Sequence, residues 1–188
     1  MIRAFLAIDL PESYRAGLTA VQDYLKKSGA DVRWTSVAGI HLTLKFFGDI
    51  DENQVDALVA AVSGISGATP NFTLGVKGVG TFPGPKSPRV IWLGLSDQTD
   101  ILAHLVQNLE QAFAPLGFPP EKRTFTPHLT LGRVRSSQGR ETLTRSLEAV
   151  SLPIFAEFLV KELVLYRSTL RPQGALYTPL RQIALAGK

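Results

Sequence analysis

The chain begins with a near-continuous apolar run at 3–9, too short for a stable helix and therefore predicted as a buried strand. Pro11 then suits the first turn of a helix, and Leu18, Val21, Tyr24 and Leu25 give 12–28 a helical spacing. Strands are predicted at 31–35 and 40–47, the second punctuated by Gly48 and Asp49. A helix at 52–65 carries Val55, Leu58, Val59, Val62 and Ile65 on one face. Alternation of Phe72, Leu74 and Val76 predicts a strand at 72–79, followed by a Pro/Gly-rich loop at 82–88 and a strand at 89–95. The clearest helix is 100–116, with a stripe of Ile101, Leu102, Leu105, Val106, Leu109, Ala112, Phe113 and Leu116. A loop at 117–120, a strand at 127–134, a helix at 140–150, one or two strands within 154–168 and a last strand at 175–184 complete the pattern. Strands and helices mixed without strict βαβ alternation favour an α+β fold.

Two of the predicted strands carry the same four residues. His-Leu-Thr-Leu stands at 41–44 and again at 128–131, close to half the chain apart. Along a strand, His and Thr at i and i+2 share one face and the leucines take the other, toward a core. Each copy therefore offers one imidazole and one hydroxyl together. Two such pairs facing each other suit acid–base chemistry on a small anion, with phosphate the obvious candidate. The spacing also suggests a duplicated unit, although the repeat is weak outside these words.

Composition narrows the chemistry. The chain has 188 residues, 45% hydrophobic and 19% charged, enough for one compact domain or two small lobes sharing a core. Cysteine is absent, which excludes disulfides and thiolate catalysis, and with only three histidines a catalytic zinc site is not expected. No stretch approaches the roughly 20 apolar residues of a membrane span. The N-terminal apolar run is interrupted by Asp9 and lacks a small-residue cleavage site, so a cytoplasmic protein is expected. The net charge of +4 is compatible with a nucleic-acid partner. More telling, Lys122, Arg123, Arg133, Arg135 and Arg140 flank the second His word, where a basic border would attract a phosphorylated substrate.

With these residues in place, the chain resembles the 2H phosphoesterases, and within them the RNA 2′,3′-cyclic phosphodiesterases, also called 2′-5′ RNA ligase-like proteins. The likeness extends beyond the His words to the opening at 5–11, to 41–48, 90–94 and 127–133, and to 163–166 with 177–180, so it spans essentially the whole chain. The resemblance implies one domain over residues 1–188. It would be bilobal, with two pseudo-symmetric, antiparallel-rich sheets, outer helices and a central groove into which each lobe contributes one His word. It also implies metal-independent hydrolysis of RNA or ribonucleoside 2′,3′-cyclic phosphates to 2′-phosphates, with no cofactor. The alternatives are ligation or cleavage of 2′-5′ linkages in the same groove, or a basic RNA-binding module with little turnover. By resemblance, His41 is the proton donor to the ribose 3′ oxygen and His128 the base that activates water. The words being identical, the residues themselves leave that order open. Thr43 and Thr130 would donate to phosphate oxygens, and Arg133 would contact phosphate or substrate. The partners are RNA ends or nucleotides with a cyclic phosphate; no membrane is implied, and a monomer is expected.

Other residues are weighed by their setting. A lone strand histidine is ordinarily a satisfied core residue; two in identical words point to a site. Arg133 stands five residues after His128, so on a regular strand it would face away, unless a twist or bulge after Gly132 swings it round. Lys45, at i+4 from His41, has the parity to face the groove, or is a solvated strand-end lysine. Trp34, Phe47 and Tyr166 are candidates to stack on a base, with core packing the commoner fate. His104 has polar helical neighbours and is assigned no role. The glycines between 75 and 84 lack a phosphate-cradling pattern and are expected to shape a hairpin or edge loop.

Overall fold

The computed structural model describes residues 1–172 and 174–187. Its elements follow in the order β1 (Ile2–Ile8), α1 (Tyr14–Lys26), β2 (Val32–Trp34), β3 (Leu42–Ile50), α2 (Gln54–Ser66), β4 (Phe72–Phe82), β5 (Val90–Ser96), α3 (Ile101–Phe113), β6 (His128–Val134), α4 (Arg140–Ala149), β7 (Phe158–Val160), β8 (Glu162–Arg171) and β9 (Gly174–Ala184). The α+β class read from the sequence is the one observed.

All nine strands join one antiparallel network in the order β7-β4-β5-β6-β3-β1-β8-β9, with β2 added along β6. The two sheets implied by the resemblance are the two arms of this network. They meet where β3 pairs with β6, and only Leu42 and Leu129 stand in register there. Both leucines are fully buried. One residue to either side, the antiparallel register turns His41 toward Thr130 and Thr43 toward His128, all on the opposite face from the leucines.

Helices cover the core face. α3 buries Leu102, Leu105, Val106, Leu109 and Phe113 from its expected stripe, and α1 buries Leu18, Val21 and Leu25 from its own, with Tyr14 buried in addition and Tyr24 left exposed. Burying an aliphatic or aromatic side chain of this kind contributes about 1.5–3 kcal/mol. The regular helix α3 ends earlier than predicted because Pro115 has no N–H to continue it. A 3₁₀ turn (Ala114–Leu116) follows, and Gly117 closes it in the left-handed region at φ 93°.

Two boundaries differ from expectation. Gly48 and Asp49 do not end β3, which runs on to Ile50. They follow a bulge at Phe47, visible as a register slip between Ala4–Gly48 and Phe5–Phe46. Gly48 takes the positive φ (74°) that this kink requires. β4 runs on to Phe82, past the predicted end at 79, so Gly80 joins Gly75 and Gly78 inside the first arm of the hairpin with β5, one of the two settings expected for these glycines. At Gly80 a Cβ would come within 2.4 Å of the Trp92 ring, so the glycine is what lets that indole lie on the strand.

Candidate active site

Each His word ends in a bulge. In β3, Ala7 faces Thr43 and Leu6 faces Lys45, leaving Leu44 as the extra residue. In β6, Trp92 faces Thr130 and Ile91 faces Gly132, leaving Leu131 as the extra residue. The last leucine of each word is thus the bulged one. The Leu131 bulge is held from outside the strand. Its carbonyl accepts from the Thr35 N–H at 2.9 Å and from the buried Gln22 amide at 2.9 Å, while the same amide reaches the Thr35 carbonyl at 2.7 Å.

A bulge inverts the face presented by every later residue. That explains Arg133. The bulge falls one residue before Gly132 rather than after it, and the guanidinium-bearing residue lines the groove. The equivalent position five residues after His41 is Phe46, which is 57% exposed and also lines the groove. Because β3 and β6 run antiparallel, Phe46 and Arg133 lie toward opposite ends.

The groove has a volume of about 1130 Å³ and is lined by His41, Thr43, His128, Thr130 and Arg133 together with Phe46, Phe82, Phe125 and Tyr177. All five site residues expected from the sequence therefore reach one cavity, larger than the usual range for a drug-sized ligand.

The two imidazoles have unlike neighbours. His41 stacks on Phe5 with ring centroids 4.7 Å apart and meets Tyr177 edge-on at 5.1 Å. Burial among these rings pushes its pKa below the ordinary value; a backbone hydrogen bond at Gly39 and the negative charge of Asp9 act in the opposite, weaker sense. His128 meets Phe82 edge-on at 5.0 Å, and its Nδ1 lies 2.7 Å from the Thr126 carbonyl. A carbonyl can only accept, so Nδ1 carries the proton and Nε2 is the ring nitrogen this bond leaves unused.

Phe47 and Trp34 take the core packing expected as the commoner fate of aromatics, while Tyr166 and Lys45 take places of their own. Phe47 is turned into the core by its bulge and packs against Phe113 and Phe118. Trp34 also packs on the core side, opposite Gly132. Tyr166 stacks on Phe5, behind the groove rather than in it, and its hydroxyl donates to Asp9 at 2.6 Å. Burial first, and Asp9 second, raise the pKa of this phenol, so it stays protonated. Lys45 is neither a free groove cation nor a solvated strand end. It is buried, and its Nζ donates to Glu110 of α3 and to the Pro119 carbonyl, both at 2.8 Å. Glu110 in turn accepts from the Glu121 N–H at 3.1 Å. The strand bearing the first histidine is thereby tied to the segment leading into the second. His104 is exposed, as expected. Phe46, Phe82, Phe125 and Tyr177 were not singled out as groove residues. Only Phe46 had a legible signal, since it repeats the offset of Arg133.

Among the described residues, no group of three or more His, Cys, Asp or Glu side chains stands together as a metal site. No described helix is long and apolar enough to cross a membrane.

The family model of the LigT-like phosphoesterases matches this chain twice, over residues 8–92 and 93–177. The chain belongs to this family. Each match takes in one His word, so the duplication suspected from the two tetrapeptides has a counterpart in the family pattern. Among curated relatives of this LigT-like chain, an RNA 2′,3′-cyclic phosphodiesterase of Methanothermobacter thermautotrophicus is 35% identical over 184 residues, covering 98% of this chain and 99% of the relative. One from Thermotoga maritima is 33% identical, covering 99% and 97%. The crystal structure of E. coli LigT complexed with 3′-AMP superposes with a TM-score of 0.76 at 31% identity, covering 98% of both chains. A Thermus thermophilus structure superposes with a TM-score of 0.81 at 26% identity over the whole of both chains.

Proposed function

We propose that this LigT-like phosphoesterase hydrolyses 2′,3′-cyclic phosphates of RNA ends or ribonucleosides to 2′-phosphates, without a metal, by a two-histidine acid–base mechanism. The observation that carries the reading is the convergence of His41, Thr43, His128 and Thr130 on one groove, each word closed by its bulged leucine. The names carried by the relatives from Methanothermobacter and Thermotoga support the substrate class. In this reading the chain is a single domain of two lobes, one for each arm of the sheet. Both histidines come from one chain, so the groove needs no second copy.

The chemistry follows from the ring environments. Nε2 of His128 takes a proton from water as the water oxygen bonds to phosphorus. The bond from phosphorus to the ribose 3′ oxygen breaks, and that oxygen receives a proton from His41. Each proton transfer is worth about 10²–10⁴ in rate. Thr43 and Thr130 donate to the non-bridging oxygens, and Arg133 contributes positive charge at one end, so the growing negative charge meets donors already in place. The opposite end offers exposed Phe46 as a surface for the base. In the empty groove, burial favours neutral His41. The donor role therefore requires the bound phosphodiester, whose negative charge against the ring favours the imidazolium.

The test is product analysis on adenosine 2′,3′-cyclic phosphate in the presence of chelator, with wild type, His41→Ala and His128→Ala. Formation of 2′-AMP by wild type, with turnover lowered at least about 10²-fold in each folded variant, is expected. Tight binding without turnover would instead identify an RNA-binding module. Selective attack on 2′-5′-linked dinucleotides would move the assignment to that chemistry.

A further inference from the structure

Next to the groove lies a second depression, of about 530 Å³, lined by Arg33, Arg135, Leu170, Arg171 and Pro172. Its position follows from strand register. Arg33 of β2 pairs directly with Arg133 of β6, and Val32 pairs with Val134. Paired residues point to the same face, and alternate residues share it. Both valines pack against the core, so Arg33, Arg133 and Arg135 all take the outer face. Arg171 joins them from the tip of the β8–β9 hairpin, whose β9 strand also carries Tyr177 into the groove. The three depression arginines are exposed, and none forms an ion pair with a carboxylate among the described residues.

We propose that Arg33, Arg135 and Arg171 form a phosphodiester-binding track that continues the catalytic groove past Arg133 and holds the RNA strand on the 5′ side of its cyclic end. This inference rests on the proposed phosphodiesterase reading. Several guanidinium groups converging without a carboxylate repel one another, and a run of phosphates relieves that repulsion while releasing counterions. Arginine also suits the site because its planar fork matches phosphate oxygens two at a time. The two ends of the groove then act differently. Phe46 offers an apolar face to the terminal base, and Arg133 opens onto a basic path outward. Leu170, 70% exposed beside the arginines, gives the path an apolar edge for an unstacked base or ribose. The preferred substrate is accordingly an oligonucleotide with a cyclic end rather than a mononucleotide.

The test uses the full chain and a fluorescein-labelled single-stranded RNA hexanucleotide ending in a 2′-phosphate, titrated by anisotropy at several salt concentrations. Wild type is compared with Arg33→Gln/Arg135→Gln/Arg171→Gln and with each single substitution. Single strands lose about 0.7 of log–log salt slope per phosphate contact, so the triple variant should lose about 2 in slope, with affinity at least about tenfold weaker at low salt. Each single variant should lose about a third of that slope, which keeps the test decisive if the triple variant folds poorly. In parallel, kcat/KM should fall at least about tenfold for a cyclic-phosphate-ended hexanucleotide and less than about twofold for adenosine 2′,3′-cyclic phosphate. A wild-type salt slope in the variants, or equal losses on both substrates, would overturn the track. If wild type hydrolyses neither substrate, the phosphodiesterase reading fails, and the binding slope still decides the track.

Discussion

His41 lies between Phe5, stacked 4.7 Å away, and the edge of Tyr177, with Asp9 and Tyr166 behind. His128 lies against the edge of Phe82 and is braced by the Thr126 carbonyl. The backbones around the two rings are alike: each is followed by Leu-Thr and then by a bulged leucine. The neighbours are not alike. Duplicated backbone brings two imidazoles to one groove, and the residues around them differ, with burial favouring the neutral form of His41. The same division appears five residues on, where one arm presents Phe46 and the other Arg133. A symmetric frame thus becomes a groove with a direction.

The strongest way to break this comparison is to remove one ring at a time and follow the pH–rate profile. A base must be unprotonated and an acid protonated, so wild type should give a bell. His128→Gln should lose the limb that falls toward acid, and His41→Gln the limb that falls toward alkali, each with turnover down at least about 10²-fold. Loss of the opposite limbs would exchange the two roles. A flat wild-type profile from about pH 5 to 9 would remove the two-histidine mechanism altogether.

A second expected effect concerns the tie between the arms. Lys45→Met leaves the Glu110 carboxylate, whose side chain is only 14% exposed, without its cation. Breaking such a pair costs about 3 kcal/mol or somewhat more, measurable in a urea melt. Glu121, 3.8 Å from Nζ but 68% exposed, offsets little. Lys45→Met/Glu110→Leu should recover most of that stability, because no buried charge is then stranded. The double variant still lacks both the Pro119 and the Glu121 anchors, so a raised KM should persist through the loosened segment carrying Arg123 and Phe125 into the groove. Full recovery of KM together with stability would show that the tie only stabilises the fold.

How much of this was legible beforehand depends on whether a feature is local. Element order and the buried stripes of α1 and α3 came from spacing within the segments themselves. The His words carried their own parity, so the shared face of His and Thr could be read directly. Bulges could not, because they arise from pairing with β1 and β5, and register is a property of two strands. This is why Arg133 is expected in the groove only through a bulge placed one step late, and why the pairing of Lys45 with Glu110 in the groove wall is not legible from parity. Phe47 and Trp34 take core packing, the commoner fate expected of them, but the choice between core and platform is not local: it depends on which side of the strand is covered, and Phe47 meets Phe113 of α3 far along the chain.

The smallest expected effect concerns stability rather than turnover, and it sharpens the contrast between the rings. Burial lowers the His41 pKa in the folded chain below its unfolded value near 6.5. Above that value both states hold the ring neutral, and the folded state gains nothing from it as pH changes. As pH falls below it, the unfolded chain takes up a proton that the folded chain still refuses, so stability declines until the folded pKa is reached. His41→Gln should remove this share of the acid-side loss, which is read by comparing urea midpoints at pH 7 and pH 5.5 in wild type and variant. Adding a dinucleoside phosphodiester, whose phosphate stays singly charged over this range, should move the wild-type curve in the opposite direction, because a bound phosphate favours the imidazolium in the folded state and ligand binding then tightens as pH falls. If ligand instead stabilises wild type less at pH 5.5 than at pH 7, the phosphate does not charge His41, and the donor role passes out of reach of that ring.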